Sequence, residues 1–141
     1  MKRREFIAAG ASLPLFAIGQ EGKSANSKVN VAFIGSGGWI AKQPYQLGCK
    51  DENLVAFCDV DRELCAENMK NWQTTQPFYE DFRVMLDKMH KEIDAVVIST
   101  PDHTHFAAAM ACMERGIHVY VQKPLAHNVW QVRTLLKARN H

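Results

Sequence analysis

A chain of 141 residues has room for one hydrophobic core, and folding at that length buries about two-thirds of the surface that the unfolded chain exposes. With 47% hydrophobic and 23% charged residues, it has neither the low hydropathy of a disordered chain nor the unbroken apolar run of a membrane span. The formal charge of +2 falls on the first residues, where Lys2, Arg3 and Arg4 stand against Glu5; the chain after Gly19 is neutral, so charge gives no reason to expect a nucleic-acid partner.

Those first residues have the layout of an export signal. Arg3 and Arg4 directly precede an apolar stretch from Phe6 to Ile18, and polar sequence follows from Gln20 to Lys28. The paired arginines resemble the twin-arginine export signal, and Ala17-Ile-Gly19 offers small residues for a signal peptidase. Pro14 argues against a spanning helix, so contact with a membrane is expected only through the signal. Residues 1–27 are read as signal and linker, residues 28–141 as the folded domain, and the product as exported to the periplasm. A non-functional leader would leave it cytoplasmic. The cysteines Cys49, Cys58, Cys65 and Cys112 form no C-x-x-C pair and are read as buried or incidental thiols. A route that carries folded proteins needs no disulfides.

From Lys28 onward short apolar runs alternate with longer amphipathic segments, the pattern of a parallel sheet covered by helices. Strands are expected at Val29–Ile34, Leu54–Cys58, near Pro77–Tyr79, Ile93–Ser99 and Ile117–Val121. The unbroken run Ala95-Val-Val-Ile98 marks a central strand buried on both faces. A helix from about Thr104 to Arg115 places Phe106, Met110 and Met113 on one stripe toward the sheet, with Gly116 closing it. The last helix, about Asn128 to Arg139, does the same with Val129, Val132 and Leu136.

The chemistry lies where strands end. Val31-Ala-Phe-Ile-Gly35-Ser-Gly37-Gly38-Trp-Ile40 runs a strand straight into a glycine-rich turn. Gly35 permits the turn, Gly37 lets backbone approach a pyrophosphate, and the start of the next helix would offer N–H groups to it. Ile40 stands where a third small residue would let that helix pack closely, and Pro44 either sits within the first helical turn, where its missing N–H costs nothing, or marks a delayed helix start. Asp59 ends the second strand 24 positions after Gly35, where a carboxylate accepts from ribose hydroxyls and repels the extra phosphate of NADP. Asp61 reads as the N-cap of a helix beginning at Arg62, and Arg62 itself could soften the exclusion of NADP. A glycine loop followed by an acid also occurs in S-adenosylmethionine-dependent methyltransferases. Thr100-Pro101-Asp-His-Thr-His105 and His118-Val-Tyr-Val-Gln122-Lys123-Pro124 close the fourth and fifth strands, at the ends where open α/β sheets bind ligands.

With those landmarks the sequence from Val29 to about Arg139 resembles the glucose-fructose oxidoreductase, inositol dehydrogenase and rhizopine-catabolism family, Gfo/Idh/MocA. The resemblance implies a doubly wound, Rossmann-type α/β domain that binds NAD, with NADP less favoured. Gly35, Gly37 and Gly38 would hold pyrophosphate, with Trp39 and Ile40 beside them; Asp59 would hold the adenosine ribose; Thr100, Pro101 and His105 would line the dinucleotide. Gln122 and Lys123 would sit beside the nicotinamide, and Lys123 is the candidate catalytic residue, stabilising charge on a substrate oxygen during hydride transfer. Gln122 stands where the family usually has glutamate. The implied substrate is a sugar or cyclitol and the implied assembly a homo-oligomer. Asp102, read as a helix cap, and the two imidazoles near it lack a third ligand cluster, so no metal is expected.

Three alternatives remain open: NAD-dependent glycoside cleavage within the same family, a non-catalytic dinucleotide-binding fragment, and, weakest, a methyltransferase. Since the classical fold orders six strands 3-2-1-4-5-6 and five can be counted, the chain is expected to stop before a sixth strand and a second, substrate-binding α/β domain. The fifth strand would then lie at an edge.

Overall fold

The structure, a computed structural model, describes residues 28–139; the proposed signal segment lies outside them. Five strands form one wholly parallel sheet: β1 (Asn30–Ile34), β2 (Asn53–Cys58), β3 (Phe78–Tyr79), β4 (Ala95–Ile98) and β5 (His118–Val121), in the order β3-β2-β1-β4-β5. The helices are α1 (Lys42–Pro44), which widens into a π-helical stretch over Tyr45–Cys49, α2 (Arg62–Asn71), α3 (Phe82–Met89), α4 (Asp102–Met113) and α5 (Val129–Ala138). The chain runs outward from β1 through β2 to β3, then returns to the other side of β1 for β4. The carboxyl ends of β1 and β4 therefore flank the switch point, the place where open α/β sheets bind ligands.

Strand β1 shows why both faces must be covered. Val31 and Phe33 point to one side, Ala32 and Ile34 to the other, and all four are buried. The first side packs with Phe57, Val97, Ala41, Cys65 and Trp72 under α1 and α2. There Trp72 is wedged against Phe33, Phe57 and Tyr45, with ring centroids 5.2, 5.8 and 4.4 Å away, each contact adding about 0.5–1.5 kcal/mol beyond burial. The second side packs with Val96, Ile98, Leu86 and the small faces of α4 and α5.

The elements match the sequence reading to within a few residues, with three physical corrections. The stripe of α4 that meets the sheet is His105, Ala108, Ala109 and Cys112, while Phe106, Met110 and Met113 are only partly buried beside it. Small residues let the helix approach β4 and β5 closely, and the larger side chains fill the flanks. Helix α5 likewise buries Leu135 and part of Val132, and exposes Val129 and Leu136. Finally, Asp102 is not the cap of α4: Pro101 holds the N-cap position and makes no side-chain bond, while Asp102 lies in the first turn, where its charge favours the helix dipole. Asp61 does cap α2, accepting from Glu63 and Leu64 N–H at 3.0 Å each, and Gly116, at φ +72°, closes α4 with bonds from Gly116 N–H to Met113 and from Ile117 N–H to Cys112.

Candidate functional site: a dinucleotide crevice

The glycine loop is fixed first by the sheet. Gly35 N–H and Ser36 N–H both donate to the Cys58 carbonyl, at 2.8 and 3.2 Å, which ties the end of β1 to the end of β2. Gly35 has φ +80°, and a Cβ there would stand 2.6 Å from Thr100 N and 2.7 Å from Ser99 C. The turn thus lies directly against the backbone leaving β4, and only glycine fits. Gly37 is crowded for a reason besides ligand approach: a Cβ would lie 3.0 Å from Asp59 Oδ2 and 3.1 Å from Leu64 Cβ, so those side chains would have to shift. Gly38, at φ +66°, faces open space.

Asp59 is bound into this loop. Its Oδ2 accepts from Gly37 N–H at 2.7 Å and its Oδ1 from Asp61 N–H at 3.0 Å. A carboxylate has about four acceptor positions, so two remain for hydroxyl donors entering the crevice. Arg62, next to it, is turned to β3, with its guanidinium 4.5 Å from the Phe78 ring centroid and 3.2 Å from Glu80 Oε1.

Beyond the loop, Trp39 is 75% exposed and Ile40 40% exposed. Ile40 avoids a clash because helix α1 has not yet begun; the fully buried small residue is Ala41, one position later. The close-packing place that a third glycine would take is filled by alanine after a longer turn. Regular helix lasts only through Pro44, so little helix dipole is available there. The N–H groups come from the turn instead: those of Gly38 and Trp39 donate to no group among the described residues, and successive unpaired amides of this kind suit an anion.

Across the crevice, the loops after β4 and β5 are joined by one buried side chain. His105 is 1% exposed, with Nε2 2.7 Å from the Thr100 carbonyl oxygen and Nδ1 2.7 Å from the Pro124 carbonyl oxygen. Its ring lies beneath the surface on which Thr100 and Pro101 sit, while Asp102 and His103 are exposed. Thr104 Oγ1 lies 2.8 Å from Thr100 Oγ1, and Gln122 N–H donates to Ile98 at 3.0 Å. The Lys123–Pro124 peptide bond is cis. Lys123 is exposed, Gln122 half-buried, and no hydrogen bond or ion pair engages the Lys123 amine among the described residues.

Three contributors escaped the sequence reading. Ser99, at the end of β4 against Gly35, buries a hydroxyl with no partner among the described residues, a cost of about 1–3 kcal/mol. Ser36, wholly buried, places its hydroxyl 3.2 Å from the Cys58 carbonyl and 3.0 Å from Cys65 Sγ. Asn68 reaches the same loop from α2. Its signal was present: Cys65, Asn68 and Trp72 share one buried helical stripe, and a polar residue on such a stripe needs a polar partner. The cysteines are packing thiols, and burial raises those of Cys58 and Cys112 to about 12.

A parallel sheet with a glycine turn, an acid at the end of the second strand and loops converging at the switch point defines a dinucleotide-binding domain. The sequence matches the family described as "Oxidoreductase family, NAD-binding Rossmann fold" over residues 29–141, and the chain belongs to it. It is 49% identical over 112 residues to the Uncharacterized oxidoreductase YdgJ of Escherichia coli, covering 79% of this chain and 31% of that protein. It is 30% identical over 132 residues to a Glycosyl hydrolase family 109 protein of Stenotrophomonas maltophilia, covering 84% of this chain and 29% of the relative. Among solved structures, the inositol dehydrogenase homolog of Azotobacter vinelandii complexed with NAD+ superposes with a TM-score of 0.71 at 28% identity, over 82% of this chain and 32% of the other. The chain thus spans about a third of the length of these relatives.

Proposed function

We propose that this domain holds NAD for an oxidoreductase that acts on an alcohol carbon of a sugar or cyclitol. The observation that carries the reading is the union of the glycine turn with Asp59, whose carboxylate grips Gly37 N–H and keeps acceptor positions open beside two unpaired amides. The residues fit the cofactor: Gly38 and Trp39 N–H would face the pyrophosphate, Asp59 the adenosine ribose, and Thr100, Pro101 and Gln122 the nicotinamide half. The Ser99 hydroxyl, buried without a partner among the described residues, belongs to the segment packed against Gly35. NAD is favoured over NADP because Asp59 puts negative charge where the extra phosphate would lie, and because Arg62 is engaged with Phe78 and Glu80.

When bound, nicotinamide supplies the acceptor or donor of hydride. The chain's own part is played at Lys123. An unpaired amine on the loop after β5 would hydrogen-bond the substrate hydroxyl, stabilise the oxygen as negative charge develops there, and move a proton at Nζ. Gln122, being uncharged, leaves the Lys123 charge uncompensated by its neighbour. His105 keeps that loop against the β4 loop.

The glycosidase relative supports a second reading, cleavage of a glycoside by the same dinucleotide-dependent chemistry. Incubating the protein with NAD and a panel of cyclitols, sugars and glycosides separates the two. Growth of reduced nicotinamide with a free sugar or cyclitol supports the dehydrogenase, whereas release of an aglycone without net reduction supports the glycosidase. Neither outcome with any member of the panel contradicts the substrate class.

The leader reading, with its homo-oligomeric and periplasmic product, also stands as a proposal. It rests on Arg3 and Arg4 ahead of the apolar stretch and predicts that Arg3→Lys with Arg4→Lys leaves the protein inside the cell. Continued export of that variant contradicts it.

A further inference from the structure

We infer that Asn68 is a positioning residue for the phosphate-binding turn: its side-chain amide sets the orientation of two peptide units so that the loop's N–H groups face the ligand. This rests on the dinucleotide reading above.

Asn68 lies in the middle of α2 and is 2% exposed. Its Nδ2 donates to the Ser36 carbonyl at 2.8 Å and to the Gly38 carbonyl at 2.9 Å. Both amide hydrogens are thereby used on two carbonyls of the same turn. In a trans peptide the C=O and N–H point in opposite directions, so fixing a carbonyl inward fixes the following N–H outward. For the Gly38–Trp39 unit that N–H belongs to Trp39, which donates to no group among the described residues. For the Ser36–Gly37 unit the N–H belongs to Gly37, and Asp59 Oδ2 receives it at 2.7 Å. One peptide unit is thus held at its two ends, by Asn68 on the carbonyl and Asp59 on the amide.

The consequence is a single polar assembly linking α2, the turn and the ribose-side acid. Cys65, one turn earlier on the same face of α2, approaches the Ser36 hydroxyl at 3.0 Å and fills the space beneath it. Without the Asn68 amide, nothing else among the described residues donates to the Ser36 and Gly38 carbonyls, and either peptide gains freedom to rotate. A turn with φ +66° at Gly38 and open space around it has little steric resistance to that rotation. Anion binding by backbone amides depends on their alignment, so affinity for the dinucleotide falls even where the fold persists.

The test is calorimetric titration of the full chain with NAD, at a temperature where circular dichroism shows each variant folded. Asn68→Leu keeps most of the volume and removes both donors; Asn68→Asp keeps the shape and turns an acceptor toward the carbonyls. Each should weaken NAD binding roughly tenfold or more, the effect of losing two hydrogen bonds that align the turn. Ile93→Val, in the core at the opposite end of the sheet, serves as a control that lowers stability and leaves the affinity within about twofold. Faster amide exchange at Gly38 and Trp39 should accompany the loss in both Asn68 variants and be absent from the control. Unchanged affinity in a folded Asn68 variant overturns the inference while leaving the dinucleotide reading intact. Failure of both variants to fold overturns it too, since Asn68 would then serve the core. Absence of NAD binding by the unsubstituted chain overturns the dinucleotide reading itself.

Discussion

The loops after β1 and β5 face one crevice and are held in opposite ways. The first is gripped by its surroundings: Cys58 accepts from Gly35 and Ser36, Asp59 from Gly37, and Asn68 donates to Ser36 and Gly38. The second is anchored by Gln122 N–H to β4 and by His105 to Pro124, while Lys123 is exposed and has no partner among the described residues. The difference teaches where each kind of order is useful. A diphosphate is recognised by backbone groups that cannot adjust individually, so the turn must be set beforehand. The proton-donor role proposed for Lys123 suits a long side chain on a fixed base.

The largest expected effect lies on the rigid side. Gly35→Ala forces a positive φ on alanine and drives its Cβ into the Ser99–Thr100 backbone, costing about 3 kcal/mol or more in denaturant unfolding. Gly38→Ala meets open space and costs only the strain of its φ, about 1 kcal/mol. Equal losses at the two positions would show that Gly35 is not packed against the β4 loop as described.

On the projecting side the effect should move to rate. Under the proposed dehydrogenase reading, Lys123→Ala should lower turnover by about a hundredfold, in the range for loss of a proton-transfer group, and leave NAD affinity within about twofold. A matching loss of NAD affinity would place Lys123 in cofactor binding alone. His105→Leu tests the anchor between the two loops: stability should fall by about 1–3 kcal/mol as the buried imidazole's contacts with the Thr100 and Pro124 carbonyl oxygens are lost, with amide exchange quickening at Gln122 and Lys123. Unchanged exchange there would mean that the loop is held by other contacts.

A smaller effect comes from the packed thiols. Burial pushes the Cys58 and Cys112 thiols up from their ordinary range to about 12, so the unfolded chain releases these protons before the folded one does. Their contribution to stability is complete below about pH 9 and is lost as pH rises toward 12. Unfolding followed across that range should show the decline, and Cys58→Ala with Cys112→Ala should flatten it.

Much of the rigid loop was legible in the sequence because its demands are local. A strand that enters Gly35-Ser-Gly37-Gly38 and an acid after the next strand leave few other arrangements, and Asp61 announced its cap by position. The holding interactions were less legible because they join distant segments. Asn68 is 30 residues from Gly38, and only its place on a buried stripe hinted at a role. Ile40 raised the packing problem, yet its solution, an added residue of turn that buries Ala41, depends on how α1 is built. His105 was visible as a member of its motif, whereas its position beneath the surface follows from Thr100 and Pro124 meeting across β4 and β5. On α4 the apolar period was read correctly and its centre was misplaced, because close approach to the sheet selects alanine over methionine.

The central claim is that the gripped turn and Asp59 together recognise NAD. Calorimetric titration of the chain with NAD and NADP, repeated on Asp59→Ala, tests it most directly. The account predicts that the unsubstituted chain prefers NAD by about tenfold or more, as ~1–2 kcal/mol of repulsion between the carboxylate and the extra phosphate requires, and that the substitution brings the two affinities together. A preference for NADP in the unsubstituted chain, or the same ratio after Asp59 is removed, would contradict it.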